Sequence, residues 1–465
     1  MTHLRPFFAV LIVGLAALSL VAGCSAGYQG KVFDMNQALQ EGDAESALAM
    51  ANAALGVDTS TQIPGELDED APLLLLERAT LLQANGEHEL AVRDLLEADK
   101  VLEVLDLTGD DDTLGKYLFS DDATLYQVPP HEKLLINTLA MISYLCLGDL
   151  ESARIEARRL TVLQKFFKDA AAEEVTLFGL GSYLAGFVFE KSGDYDEALQ
   201  YYLEAWRTHG FEAARVPIAY LGRATGYDKD EVGELMQEVG DVKMPTDEEA
   251  EVLVIVMNGR GPYKVAERLP IGAFVVSGGP HHHREMTAEE QERADRVVAS
   301  GLLKWINFPT LIDPVDAFGN IQVKLDGATL ETPGVELDIR GATHAAWEQD
   351  KPLLMFAAFT RMVTRAIAAE ATTAVGKGAN LDKSLFPGAS WLLGRVVEGT
   401  LTAVDTPDTR SWTTLPANIR IYRQKVAPGT HKVRVTGSSP GRQTRQETVE
   451  VRGGRFGAVS VRFLR

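Results

Sequence analysis

The side chains that could carry out chemistry are few, and their spacing completes no catalytic or metal-binding motif. Histidines cluster once, at His281–His283, where Glu285 is the one nearby acid. A helical zinc site places its histidines four residues apart, so we expect adventitious metal binding here and no built site. The string Gly437-Ser-Ser-Pro-Gly441 matches the Gly-x-Ser-x-Gly pattern of a nucleophile elbow. An elbow needs a helix after its serine, whereas the pattern here predicts strands on both sides.

Phosphate-binding and acid–base motifs are missing as well. The chain has no Gly-rich loop followed by Lys-Ser or Lys-Thr, and Gly376-Lys-Gly378 ends a predicted helix instead. The 66 Asp and Glu residues are too numerous to single out a pair for acid–base catalysis. We therefore predict no catalytic residue, no metal site and no cofactor, and expect that the protein is not an enzyme.

Composition bounds the class of protein. A chain of 465 residues is long enough for about two to four domains, and 46% hydrophobic with 24% charged residues is typical of globular proteins. The 45 basic and 66 acidic residues give a net charge of −21, which repels phosphate backbones and argues against nucleic-acid binding. Only Cys24 and Cys146 occur as cysteines, which excludes a disulfide framework. Cys146 lies among leucines and is expected to be a small core residue.

The first residues read as a targeting segment. The apolar run from Phe7 to Ala22 has the length of a signal-peptide core and is short for a membrane span. It ends in Val21-Ala22-Gly23-Cys24, which resembles the lipobox of bacterial lipoproteins. The resemblance implies a signal peptide over 1–23, cleavage before Cys24, lipidation of its thiol, and a tether over 24–27. Two or three acyl chains would anchor the protein to a membrane. Ser25 implies the outer membrane, facing the periplasm, where enteric sorting rules apply; the inner membrane is the alternative.

A short string recurs in the region 28–225: a Gly is followed by an acid and, five residues after the Gly, by Ala. The pairs are Gly42 with Ala47, Gly86 with Ala91, Gly148 with Ala153, and Gly193 with Ala198. The Gly can end one helix in a left-handed cap, the acid favours the next helix N-terminus, and the Ala allows close approach of the two helices. The strings resemble the turn and second helix of tetratricopeptide repeats. Their spacings exceed the usual period, so we predict an irregular α-solenoid.

The resemblance also bears on how such a solenoid binds. Peptide-binding members of this fold often hold a carboxylate with polar groove residues. The matching positions here are apolar: Leu135, Leu139, Ile142, Leu180, Leu184 and Phe187. Either the groove takes an apolar partner, or the rest of the chain fills it. The second is favoured because large exposed apolar patches are uncommon.

Two blocks carry a further resemblance, Glu132–Leu160 and Asp408-Thr-Arg-Ser-Trp412-Thr-Thr-Leu-Pro416. Together with the lipobox, they resemble a family of repeat-containing bacterial envelope lipoproteins that has no assigned activity. The resemblance implies architecture and a place in the envelope. The first block contains charged residues at helical spacing, Arg154, Glu156, Arg158 and Arg159, which predict either a solvated or interdomain ion-pair face or an interaction surface.

Beyond the repeats, the pattern changes. Residues 226–251 hold ten acids and two lysines between Asp228 and Glu251, which indicates an acidic linker or insertion. Residues 252–402 read as an α+β domain. Its predicted elements are strands at Val252–Met257, Ile271–Ser277 and Leu302–Phe308, a hairpin around Asp326-Gly327, and helices after Thr332-Pro333 and over Leu353–Ala374.

The tail, residues 403–465, alternates with period two and predicts a small β-sandwich. From Asp408 onward it holds twelve basic and three acidic residues. This basic excess could face anionic cell-wall polymer or lipid headgroups, could dock on the acidic solenoid, or could only keep the sheet soluble. We expect Asp408, Arg410 and Trp412 to join the domains, because a large exposed ring is unusual in a soluble protein. An external binding patch and simple solvent exposure are the alternatives.

The fold class predicted is thus multidomain: an N-terminal α-solenoid of tetratricopeptide type, a middle α+β domain and a C-terminal β-sandwich. The predicted function is a membrane-anchored scaffold or adaptor in envelope assembly, whose partners are envelope proteins and the membrane through Cys24. The alternative is a protein that binds or modifies cell-wall polymer, with its site in the middle domain. An enzyme should have an acid-lined cleft around Asn258–Lys264.

Overall fold

The computed structural model describes residues 28–67, 69–102, 126, 128–169, 178–246, 248–270, 305–314, 317–331, 334–352, 354, 355, 358 and 407–464. Over this part, the chain has a helical first half and a second half built mainly of strands. Cys24 with the predicted signal peptide, the predicted strand Ile271–Ser277, His281–His283, Gly376-Lys-Gly378 and most of the helix predicted over Leu353–Ala374 lie outside the described residues. No helix among the described residues is long and apolar enough to cross a membrane.

The helical half consists of antiparallel hairpins in which each helix packs on its neighbour in sequence. Its helices are α1 (Tyr28–Glu41), α2 (Ala44–Ala54), α3 (Ala71–Ala84), α4 (His88–Val101), α5 (Pro130–Leu147), α6 (Leu150–Asp169), α7 (Phe178–Ser192), α8 (Tyr195–His209), α9 (Glu212–Thr225) and α10 (Asp230–Val239). The glycines of the recurring string stand in the hairpin turns, with φ of 83° at Gly42, 76° at Gly86, 72° at Gly148 and 83° at Gly193. The alanines Ala47, Ala91, Ala153 and Ala198 are each 0% exposed, at the contact between the paired helices.

The acidic stretch 226–251, predicted to be a linker or an insertion, contains a helix of the repeat region, which corrects the domain boundary predicted at 225/226. Gly226, with φ of 73°, turns α9 into α10, which forms a further hairpin of the same kind. Val232 and Leu235 bury one face of α10 while its acids stay on the other. The number of acids indicated a linker, but these acids lie on the solvent face of the helix and leave its apolar face free to pack.

Among the described residues, the strands build two four-stranded sheets and one two-stranded sheet. They are β1 (Ala250–Asn258), β2 (Tyr263–Pro270), β3 (Trp305–Ile312), β4 (Asn320–Leu325), β5 (Ala328–Leu330), β6 (Val335–Asp338), β7 (Asn418–Val426), β8 (Gly429–Ser438), β9 (Arg442–Val451) and β10 (Phe456–Phe463). The first sheet has the order β10-β1-β7-β6 and the second β5-β4-β8-β9, while β2 pairs with β3. The predicted hairpin around Asp326-Gly327 forms between β4 and β5.

The boundary predicted at 402/403 does not separate two domains. Strand β1 lies between β7 and β10 of the tail, antiparallel to β7 and parallel to β10, and β4 pairs with β8. The middle region and the tail therefore form one β-sandwich. The helix predicted after Thr332-Pro333 is also displaced, because β6 comes first and a helix, α11, follows over residues 339–352. Pairing between strands so distant in sequence leaves no local signal.

The first sheet is the middle layer of the molecule. All nine residues of β1 are buried, and its side chains alternate between two cores. Leu253, Ile255 and Met257 pack with the helices, whereas Val252 and Val254 pack with the second sheet. On the helical side, Leu135, Leu139, Ile142, Leu180, Leu184 and Phe187 are each 0–1% exposed. The rings of Phe187 and Phe456 make an edge-on contact with centroids 5.3 Å apart. The inner side of the solenoid is thus filled by the chain's own sheet.

Candidate functional site

An irregular stretch, residues 407–417, lies where the helices meet the strands; we call it the joining segment. Trp412 is 1% exposed and belongs to the core that the helices share with the first sheet. Tyr28 Oη, in α1, is 2.8 Å from the carbonyl oxygen of Ser411. The backbone N–H of Lys264, in β2, donates to Ser411 Oγ at 3.0 Å. The joining segment therefore contacts α1 on one side and β2 on the other.

The carboxylate of Glu77, in α3, is the centre of this contact. It is 0% exposed and accepts hydrogen bonds from the backbone N–H groups of Thr413 at 2.6 Å and Thr414 at 2.9 Å. The hydroxyls of Thr414, at 2.5 Å, and Tyr28, at 2.6 Å, donate to it as well. Burial raises the pKa of Glu77, and these hydrogen bonds act against that shift. A helix carboxylate thus satisfies backbone groups that a buried loop would otherwise leave unpaired.

Two buried arginines stand near this carboxylate. Arg260 Nη1 donates to Asn36 Oδ1 at 2.7 Å, and Arg462 Nη2 donates to the carbonyl of Thr414. Burial lowers the pKa of Arg462 to about 9; the charge of Glu77 opposes this and that of Arg260 adds to it. Among the described residues, Nε of each arginine has no hydrogen-bond partner. The junction therefore holds two cations beside one carboxylate.

The predicted pair Asp408 and Arg410 lies inside the joining segment. Arg410 is 2% exposed, and its Nε and Nη2 donate to Asp408 at 3.0 and 3.1 Å. Its guanidinium carbon is 5.8 Å from the ring centre of Tyr126, whose hydroxyl donates to Glu132 at 2.8 Å. Burial raises the pKa of Glu132 to about 7, although bonds from Tyr126 and the Trp412 backbone lower it. These charges fix the joining segment against α5.

A second ionic cluster joins the sheet to the helices further along. Arg423, in β7, makes paired contacts with Glu190 at 2.6 and 3.0 Å and with Glu251 at 2.9 and 3.0 Å. Lys191 bonds both carboxylates. Burial alone would raise the pKa of Glu190, but the positive charges of Arg423 and Lys191 lower this pKa to about 2. Part of the tail's basic excess is therefore used to dock on acids of the helical half.

The charged residues predicted on α6 mainly join neighbouring helices. They are Arg154, Glu156, Arg158 and Arg159. Arg154 pairs with Asp194 at 2.5 Å, and Arg159 pairs with Asp99 at 3.3 Å. Arg154 and Arg158 both lie over the Phe189 ring, at 5.7 and 5.8 Å. Glu156 is 2% exposed and bonds Arg159 at 3.2 Å.

Beside these charges, α6 carries apolar side chains on its solvent side. Ile155 is 59% exposed, Val162 is 70% exposed and Phe166 is 54% exposed. Steps of seven and four residues place them on one face of the helix. We call them the α6 stripe. Its position on the outer side matters because the inner side of the solenoid is already filled.

A crevice opens where the hairpin turns meet the outermost strands on one side of the sandwich, β9 and β10. It comprises a cavity of about 720 Å³, beside the turns at Gly86 and Gly148, and one of about 210 Å³ beside Gly42. Arg445 and Arg462 line both. We call it the edge crevice. Cys146 lines the larger cavity, and burial raises the pKa of its thiol to about 12, so the thiol stays protonated at neutral pH.

Residues Asn258–Lys264, where an enzyme is expected to have an acid-lined cleft, make hydrogen bonds with other parts of the chain. Asn258 Nδ2 donates to the carbonyl of Phe318 at 2.9 Å, and its Oδ1 accepts from the backbone N–H of Phe318 at 3.1 Å. Arg260 and Lys264 contact α1 and the joining segment, as described above. No group of three His, Cys, Asp or Glu residues in the described part of the chain could hold a metal ion. Residues 437–441 span the last two residues of β8 and the turn into β9, so strands lie on both sides of the string.

Sequence reasoning missed the charged residues that matter most at the junction. Glu77 and Arg78 interrupt the apolar run Leu73–Leu82, and both are 0% exposed. Adjacent opposite charges inside such a run were the available signal, because a fully buried charge needs a partner. Arg462 had a weaker signal, since its place in an alternating strand suggested the solvent face.

Comparisons with known proteins give little further. A scan against protein-family models finds no match, and a search of curated proteins finds none. Among solved structures, the chain is similar to the one titled "Crystal structure of MamA protein", with 15% identity, a TM-score of 0.29, and coverage of 45% of this chain and 87% of that chain. A likeness of this size carries no argument.

Proposed function

We propose that the protein is a lipid-anchored scaffold of the bacterial envelope that acts through protein–protein contacts and has no catalytic step of its own. The hairpin turns with left-handed glycines and fully buried alanines support a solenoid of tetratricopeptide type. The string Val21-Ala22-Gly23-Cys24 supports the anchor and a periplasmic location, with the outer membrane favoured by Ser25. The partners are other envelope proteins.

The observation that carries the proposal is the α6 stripe. Single exposed apolar residues are ordinary on protein surfaces, but Ile155, Val162 and Phe166 stand together on one face. The opposite face of the same helix is packed against the protein core, since Ala153 and Ala157 are each 0% exposed. An exposed apolar stripe on a helix whose inner face is already packed is available for contact with a second protein.

Photo-cross-linking in the native envelope tests this role. A cross-linking amino acid at position 159, beside the α6 stripe, should capture defined proteins that mass spectrometry identifies. The double variant Val162→Glu/Phe166→Glu should lose them, while Phe33→Glu, at a 65% exposed site on α1, should retain them. Identical captures from all three proteins would refute the stripe as a contact surface. Binding of the purified chain to purified cell-wall sacculi, with no protein captured, would favour the polymer alternative.

The anchor has its own test. Cys24→Ala should abolish labelling by a radioactive fatty acid and leave unprocessed protein in membrane fractions. Normal labelling and processing of this variant would refute lipidation at Cys24.

A further inference from the structure

The edge crevice has polar side chains at positions where the sandwich core would otherwise continue. In β9, Val449 and Val451 pack in the core between the sheets. Arg445 and Glu447 are paired with Val435 and Val433 of β8, so they lie on that same core-facing side. Strand β9 thus extends past the packed part of the first sheet, and its inner face there is polar and open to solvent.

The walls of the crevice include two strand edges. Strands β9 and β10 are each the last strand of their sheet on this side, among the strands that the structure describes. The carbonyls of Arg455 and Phe463 accept from the backbone N–H groups of Glu251 and Gly259, so the odd-numbered residues of β10 direct their backbone groups toward β1. Even-numbered ones, such as Phe456 and Ala458, direct their backbone groups away from β1. An open strand edge is a template for an extended peptide.

The smaller cavity has a positive lining in a chain of net charge −21. It is lined by Arg442, Arg445 and Arg462 against the single acid Glu41. In the part of the chain that the structure describes, neither Arg442 nor Arg445 has a carboxylate within ion-pair distance. Arg462 is 2% exposed and, as noted, its Nε lacks a partner there. Leu39 and Leu464 add apolar contacts to the same cavity.

We infer that the edge crevice binds an extended, acidic peptide segment of a partner protein, whose carboxylates pair with Arg442 and Arg445 while its backbone lies along β9 and β10. This inference rests on the proposed scaffold role and specifies the chemistry of one partner. Carboxylates supply the charge that the arginines lack, and arginine forks bind them in two-point contacts. Glu447 and Glu450, at the larger cavity, give the crevice a negative end that sets the direction of the peptide.

A labelled ten-residue peptide of alternating Glu and Val is the probe, with binding followed by fluorescence anisotropy on the full chain. The double variant Arg442→Gln/Arg445→Gln should bind it on the order of tenfold more weakly. Both sites are exposed, so an unchanged melting curve is expected of this variant. The matched control Lys432→Gln/Arg434→Gln removes two charges from the outer face of the neighbouring strand and should leave affinity unchanged.

Two further peptides separate backbone pairing from charge. Replacing each Val by Pro keeps the carboxylates but removes strand pairing, and replacing each Glu by Lys reverses the charge; both should bind weakly. Failure of the first probe to bind, equal loss in both double variants, or equal binding of the Pro peptide would overturn the inference. Tight binding of polygalacturonate with no peptide binding would assign the crevice to an anionic polymer instead. These results leave the scaffold proposal to its own test at the α6 stripe.

Discussion

Replacing Glu77 by glutamine should separate the joining segment from the helices. The carboxylate accepts two donors on each oxygen: Tyr28 and the Thr413 N–H on one, and the N–H and hydroxyl of Thr414 on the other. Whichever oxygen becomes an amide nitrogen, one backbone N–H loses its acceptor. The hydroxyls can turn elsewhere, because Tyr28 also reaches the Ser411 carbonyl and Thr414 lies close to Thr80.

The expected cost follows from this count. One buried, unpaired N–H costs about 1–3 kcal/mol, and the remaining bonds fall from charge-assisted strength, about 1.5–3 kcal/mol each, to about 1 kcal/mol. Two bonds remain on the unchanged oxygen, so Glu77→Gln should lower the free energy of unfolding by about 2–7 kcal/mol. Tyr28→Phe, which removes one donor and leaves the carboxylate, should cost about 1 kcal/mol.

Urea unfolding followed by tryptophan fluorescence measures both variants, because Trp412 lies inside the joining segment. Limited proteolysis should also cut the segment sooner in Glu77→Gln than in the parent chain. Equal costs for the two variants, or a cost below about 0.5 kcal/mol for Glu77→Gln, would refute the role assigned to the carboxylate.

Three more predictions address other contacts. Ala198→Leu should overpack the contact between α7 and α8 and cost about 1–3 kcal/mol, so an unchanged melting temperature would refute that packing. Trp412→Ala should cost about 3 kcal/mol, whereas Phe33→Ala, at a 65% exposed site, should change the urea midpoint little. Because its basic neighbours hold the pKa of Glu190 at about 2, below its usual 4.5, this carboxylate should stabilise the fold above pH 4.5 by on the order of 3 kcal/mol. That stabilisation is lost as the pH falls through 2, and Glu190→Gln should remove this part of the pH dependence; an unchanged acid limb in the variant would contradict it.

The features that could be predicted from the sequence are those that depend on residues close together in the chain. The turn at Gly193 and the buried position of Ala198 both follow from one six-residue string. Helix α10 was missed because its apolar spacing, at Val232 and Leu235, was outweighed by the number of acids around it. The spacing of apolar residues is therefore a better indicator of a helix than the total charge of the segment.

The division of the second half could not be predicted, because it depends on pairing across long separations. Strand β1 is flanked by β7 and β10, which begin at Asn418 and Phe456. Each strand has the period expected of it, but nothing near Ala250 encodes the identity of its neighbours. The parallel pairing of β1 with β10 moves the tail into the same sandwich as the middle region.

The two blocks that carry the family resemblance meet in space, and this bears on where function should be sought. Glu132, at the start of the first block, accepts from the Tyr126 hydroxyl at 2.8 Å, and the Trp412 backbone of the second block lies close enough to lower the pKa of Glu132. Arg410 lies over that same tyrosine ring. Residues at this junction are constrained by burial and charge pairing, so their dense features reflect the fold. In a scaffold of the proposed kind, selectivity for partners therefore belongs on surfaces outside the junction. The α6 stripe is such a surface, and the edge crevice adjoins the junction through the buried Arg462 but exposes Arg442 and Arg445 beyond it.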